Sequence, residues 1–185
     1  MVKFFTGAGD DGYTGLLGEQ RVPKHSARPE AYGNVDEASA ALGVARASTG
    51  SHDIAQVVVE VQRDLYKLMA ELAATPEQAR RFRQLDASRV VWLEDQVERF
   101  GEQVDMPSEF IIGGDSRAGA FFDLARTVVR RAERSVASLM HDGLIDNSEL
   151  VRYLNRLSSL CFVLELYENQ QAGVDRPSLA KGVSE

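Results

Sequence analysis

Between residues 53 and 73, Ile54, Val57, Val58, Val61, Leu65, Leu68, Met69 and Leu72 recur at helical spacing. A strand alternates its faces every second residue, so this segment has to be a helix with one broad apolar face. The same period runs through 30–47, where Val35, Ala38, Leu42 and Ala45 share a face, and through 86–100, with Val90, Leu93, Val97 and Phe100. Segments 118–141 and 149–171 complete the set. Punctuation agrees. Pro29 sits in the first turn of the first helix, Gly101, Gly143 and Gly173 close the last three, and Asp146 and Glu149 have capping-box spacing. The polar stretch TPEQARRFRQLD separates the second helix from the third, and a loop, GEQVDMPSEFIIGGDS, separates the third from the fourth. With no alternation of strand and helix and no internal repeat, the expected fold is all-α, an antiparallel bundle of four or five helices. Residues 1–28 would form an N-terminal arm of the same domain, 29–173 the bundle and 174–185 a mobile tail.

At 185 residues the chain supports one buried core. A net charge of −7 argues against nucleic acid or an anionic membrane as the main partner. The lone cysteine, Cys161, lies in the apolar run LCFVLEL, which excludes a disulfide within the chain and predicts an inert buried thiol. No signal-peptide pattern opens the sequence and no run is long enough to span a bilayer, so a cytoplasmic location is expected.

Residues 6–15, TGAGDDGYTG, contain a match to the dinucleotide fingerprint G-x-G-x-x-G. That fingerprint needs a strand before it and a helix after it. Here VKFF is at most a short strand, the following YTGLLGEQRVPKHS is not a helix opening, and Asp10 and Asp11 would face an anionic ligand. The match is accidental as a Rossmann signal, and a plain turn-rich arm is the simplest reading. Two basic clusters reopen the question. Arg126, Arg130 and Arg134 stack on one face of the fourth helix, where like charges repel, and Arg21, Lys24 and Arg28 follow the glycine-rich stretch. Such clusters, with a loop of small residues that frees backbone N–H groups, could cradle a polyphosphate. A solvated face neutralised by Asp123 and Glu133 is the competing account.

Other candidates have bland alternatives. His25, His52 and His141 show no ligand spacing, so no histidine metal site is expected. Asp36 and Glu37 would form a polar helix face, Asn155 and Arg156 a hydrogen bond to a neighbouring helix, and Phe110-Ile111-Ile112 a staple of the loop onto the core. No Ser-His-Asp or Cys-His arrangement is visible.

Three blocks, in this order, resemble the PduO-type ATP:cob(I)alamin adenosyltransferase family: TGAGDDGYTGLLGEQRVPKHSARPEAYGNVDEASAALG, ARTVVRRAERS and YLNRLSSLCFVL. The resemblance implies a five-helix bundle that assembles as a homotrimer, with ATP and the corrinoid between subunits and a glycine-rich nucleotide loop ahead of the bundle. Cob(I)alamin attacks C5′ of ATP, giving adenosylcobalamin and triphosphate, with Mg²⁺ on the phosphates. By matching motif, Thr6, Gly7, Ala8, Gly9, Thr14 and Gly15 would line ATP, with Lys24 on the phosphates. Arg130, Arg131, Glu133 and Arg134 would be contacts from the arginine helix, and Asn155 the contact from the last. Asp36 would pair with Arg126 near the corrinoid, and Phe110 would displace the lower axial ligand of cobalt. A Co(II) reductase and an adenosylcobalamin-dependent enzyme would be partners.

The chain departs from the family pattern in four places. Gly7 and Ala8 stand where a basic and a polar residue are usual, FIIGGDS lacks a proline, Ser159 replaces an aspartate, and the tail lacks a tryptophan-containing ending. Two classes of function are therefore compatible with the sequence: an active adenosyltransferase, or a non-catalytic paralogue that binds ATP or a corrinoid as sensor, carrier or interaction module.

Overall fold

The computed structural model describes residues 4–181; Met1–Lys3, which include half of VKFF, and Gly182–Glu185, the end of the expected tail, lie outside the described residues. Five long helices form the bundle: α1 (Ala27–Ser48), α2 (His52–Ala73), α4 (Ala87–Gly101), α5 (Arg117–His141) and α6 (Ser148–Gln171). α3 (Ala79–Phe82) is a single turn inside the polar stretch between α2 and α4. α5 packs between α1 and α6, α2 lies on the outer side of α1, and α4 on α6.

The buried stripe of α1 is Ala31, Val35, Ala38, Leu42 and Ala45, and that of α5 is Ala118, Phe122, Ala125, Val129, Ala132, Val136 and Leu139. Both repeat at alternating steps of four and three, the spacing that packs ridges into grooves at a shallow angle. The small side chains let the two helices approach closely. α6 is buried on more of its circumference, including Tyr153, Leu157, Cys161 and Leu164 and the polar Glu165, Glu168 and Asn169. It is the most extensively buried of the long helices. Among the described residues no helix is long and apolar enough to cross a membrane.

The arm holds a feature that the sequence reading does not contain: β1 (Tyr13–Gly15) pairs antiparallel with β2 (Arg21–Pro23). No helix follows GAGDDG, which closes instead in turns, Asp10 N–H to Gly7 O and Gly12 N–H to Gly9 O, with Gly7 and Gly12 at positive φ. Leu17 fixes the hairpin to the end of α2, donating to Ala73 O and accepting from Thr75 N–H. The α6 cap is also one residue from the expected one. Asn147 accepts from Glu149 N–H, whereas Asp146 pairs with Arg83. Within 174–185, expected to be a mobile tail, Ile112 N–H donates to Ser178 O, Ala180 N–H donates to Phe110 O, and Asp115 accepts from Ser178. Residues 178–180 thus run beside the Phe110 loop, a long-range pairing that composition does not announce.

Asp64 on α2 ties three helices together. Fully buried, it accepts from Lys67 at 2.9 Å, Arg89 of α4 at 2.7 Å and the Tyr153 hydroxyl of α6 at 3.1 Å. Removing the carboxylate strands a guanidinium and a buried phenol. Asp64→Ala should lower unfolding stability by about 3 kcal/mol or more, whereas Tyr153→Phe, which leaves the ion pair, should cost about 1 kcal/mol. Urea denaturation of the two variants measures the difference.

Candidate functional site

The sequence-selected residues fall into three groups at different levels of the bundle. The arm is the first. Lys24 is exposed, and its Nζ lies so close to Gly9 that a Cβ built there would stand 2.9 Å from it. The Lys24 ammonium thus folds back over the loop at Gly9. Thr6 is exposed and its hydroxyl accepts from Ala8 N–H; Thr14 and Gly15 sit in β1. Arg21 is turned inward on the arm, bonding Ala8 O at 2.9 Å and Asp11 at 2.8 Å. Arg28, read from sequence as part of the same basic cluster, is not available to a phosphate. It is buried and donates to Leu72 O, Ala74 O and Leu144 O, joining the ends of α1, α2 and α5.

The second group lies midway along α5. Glu133 accepts from Asn155 of α6 at 2.9 Å, and Asn155 in turn accepts from Arg156, which pairs with Glu94 of α4. Arg131 pairs with Glu37 across the α1 seam. Arg130 and Arg134 are exposed, and neither forms an ion pair among the described residues. The same holds for Lys24. The competing account, a stripe neutralised by Asp123 and Glu133, therefore covers Arg126 alone.

The third group surrounds a pocket of about 480 Å³ lined by Met106–Ile111, Gly113, Asp123, Arg126, Phe162 and Glu165. Phe110 stands on its edge, 87% exposed, with Met106 and Ile112 exposed beside it. A side chain in that position staples nothing to the core. Arg126 reaches the same pocket and donates to Asp123 through Nε at 2.9 Å and Nη2 at 2.7 Å.

The expected Asp36–Arg126 pair does not form within the chain, and helix register gives the reason. Asn34 bonds Ser135 at 2.7 Å and Glu37 pairs with Arg131, which sets Asp36 opposite residues 132–133. Arg126 is then about 10 Å further along the axis, at 1.5 Å per residue. Asp36 is exposed on α1.

Residues 4–168 match the sequence profile of the family described as cobalamin adenosyltransferase. The chain is 34% identical to the corrinoid adenosyltransferase of Bacillus subtilis, over 94% of this chain and 90% of that one. It is 37% identical to a corrinoid adenosyltransferase of Citrobacter freundii, over 91% and 96% of the two chains. A variant PduO-type ATP:corrinoid adenosyltransferase from Lactobacillus reuteri, solved in complex with cobalamin and ATP, has a TM-score of 0.88 at 28% identity, covering 99% of this chain and 98% of that one.

Among the pocket residues that were not singled out from sequence, one bears on the chemistry. Glu165 is 1% exposed, and its Oε1 has no hydrogen-bond partner among the described residues. The available signal was an acid on a buried stripe, since 154, 158, 161 and 165 share the four-three spacing. Burial, reinforced by Asp123 and opposed by Arg126, pushes its carboxyl from an ordinary 4.5 up to about 7. The folded state then holds a proton that the unfolded chain has released. Its stabilising effect is complete below pH 4.5 and is lost as pH rises through about 7. At about 1.4 kcal/mol per pH unit, wild type should lose about 2–3 kcal/mol relative to Glu165→Gln over that window. Denaturant midpoints of both proteins between pH 4.5 and pH 8 provide the check.

Proposed function

The chain belongs to the cobalamin adenosyltransferase family, and on that premise we propose that it transfers the 5′-deoxyadenosyl group of ATP to cob(I)alamin, giving adenosylcobalamin and triphosphate. The observation that carries this reading is the pocket holding Phe110 and Arg126 together, with a solvent-facing aromatic ring on its edge. In the reaction the Co(I) electron pair forms the cobalt–carbon bond, the C5′–O bond breaks, and triphosphate leaves with that bond's electrons. The nucleophile comes from the corrinoid, so the absence of a catalytic triad from the sequence is no obstacle. The protein has to position two large ligands and stabilise a polyanion.

Each group then has a task. Lys24, Arg130 and Arg134, cations without an ion pair among the described residues, would neutralise the triphosphate. Arg131, Glu133 and Asn155 would form the neighbouring polar wall, and Thr6, Gly7, Ala8, Gly9, Thr14 and Gly15 the nucleotide loop. Phe110 would lie against the lower face of the corrinoid, leave cobalt four-coordinate and make its reduction easier. Among the described residues no group of three or more His, Cys, Asp or Glu side chains is placed to hold a metal. Mg²⁺ would be carried on phosphate oxygens.

The arm is anchored where α2 ends, while Phe110 and Arg126 lie toward the start of α5. A homotrimer would unite one chain's arm with a neighbour's pocket and let Asp36 reach an Arg126 that its own helix register denies it. A Co(II) reductase and an adenosylcobalamin-dependent enzyme, in the cytoplasm, would supply and use the corrinoid.

Anaerobic incubation with cob(I)alamin, ATP and Mg²⁺ should produce the adenosylcobalamin spectrum. Binding of both ligands without turnover would instead support a carrier or sensor. Lys24→Ala and Arg130→Ala should each weaken ATP binding by roughly tenfold or more in calorimetry, with helical content unchanged. Phe110→Ala should leave ATP affinity intact and cut turnover from Co(II) by orders of magnitude, with bound Co(II) five-coordinate by absorption. Light scattering should give the mass of a trimer.

A further inference from the structure

A buried carboxyl with an unmet hydrogen-bonding atom is expensive, and a leucine or methionine of similar volume would remove the expense. The other buried acids show how this bundle normally handles the problem. Asp64 has three partners, and Glu71 accepts from Asn147 and Arg83. Glu168 accepts from Thr49. Glu165 is the exception, and it is also the one that lines the Phe110 pocket. Its neighbour Arg126 is already committed to Asp123.

We propose that Glu165 is a specificity-determining residue for the corrinoid, forming a hydrogen bond with one of the primary amides on the rim of the macrocycle. The inference rests on the reading of this pocket as the corrinoid site. The surroundings select for such a partner. Burial, and after it Asp123 of α5 and Asp115 of the preceding loop, disfavour the ionised carboxyl; Arg126 favours it, and Glu109 adds another acid to the pocket lining. A second anion is therefore unwelcome here. A neutral carboxyl offers one O–H donor and one C=O acceptor, which match the C=O and N–H₂ of a primary amide. Closure of the pocket by an apolar macrocycle removes the remaining water and strengthens that pair.

Glu165→Gln keeps both a donor and an acceptor, while Glu165→Leu keeps only volume. Anaerobic absorption titration with cob(II)alamin in the presence of ATP should give the Gln variant an affinity within about threefold of wild type. The Leu variant should lose about tenfold or more, the worth of one sheltered hydrogen bond. Calorimetry should show the same ATP affinity in all three proteins. At neutral pH the Leu variant should also melt at a higher temperature than wild type, since an unsatisfied buried acid has gone. A structural role would lower that melting temperature. Wild-type cob(II)alamin affinity in Glu165→Leu, equal losses in both variants, or a destabilised Leu variant would each overturn the proposal while leaving corrinoid binding in place. A wild-type protein that binds ATP but not cob(II)alamin would overturn the corrinoid reading and this inference with it.

Discussion

The seam between α1 and α5 sets the geometry of everything else. It is built largely from alanine and valine, so the helix axes approach closely and few alternative rotamers exist to absorb a slip. A one-turn slide would drive Val35 or Val129 into a neighbouring ridge and leave a void where it had been. The register is therefore rigid, and it dictates which charges on the exposed part of α5 find partners. Arg131 meets Glu37, whereas Arg126 is kept from Asp36 and turns to Asp123 on its own helix. Arg130 and Arg134 face outward.

Buried polar groups divide along the same lines. Arg28 meets three backbone carbonyls at the converging ends of α1, α2 and α5, and Asp64 meets three side-chain donors between α2, α4 and α6. Such satisfied networks specify how helices assemble, and they lie away from the pocket. Glu165 has the opposite character. Its burial contributes nothing to specifying the assembly, because no donor among the described residues answers Oε1. Natural bundles concentrate such local penalties where a ligand can relieve them.

The five long helices were legible because each carries a full apolar stripe at helical period, and period is a local property. Gly143 and Gly173 take the positive φ that a helix end uses. What the sequence concealed depends on distant partners. The β1–β2 hairpin is three residues per strand, too short for alternation to register, and α3 has no buried residue to mark it. Asp146 and Asn147 are both good caps, and the choice fell to Asn147 because its amide also bonds Glu71 and Leu85 O. Arg28 looked like a phosphate ligand because a basic residue in a polar segment gives no local sign of burial. The Asp36–Arg126 pair came from family resemblance, and only the register of α1 on α5 reveals that one chain cannot form it. Phe110 was legible as a candidate, yet its exposure was not, since FIIGG reads equally well as a core staple.

Distance along the bundle carries the last step. Leu17 holds the arm to the end of α2, and Arg28 joins that point to Leu144 beyond the end of α5. The pocket takes Asp123 and Arg126 from the first half of α5. Fifteen or more residues of helix between these levels amount to about 22 Å or more at 1.5 Å per residue. A cobalt–carbon bond forms only at contact distance, so a nucleotide seated on the arm's base and a corrinoid seated in the same chain's pocket would be far out of reach. The exposed arginines of α5 lie between the two levels, and α5 turns them outward, away from its own core. A neighbouring chain presented to that face could bring its arm to the arginines and its nucleotide to the pocket. On the proposed function, oligomerisation would then act by supplying proximity, the main contribution a protein makes when the cofactor provides the nucleophile.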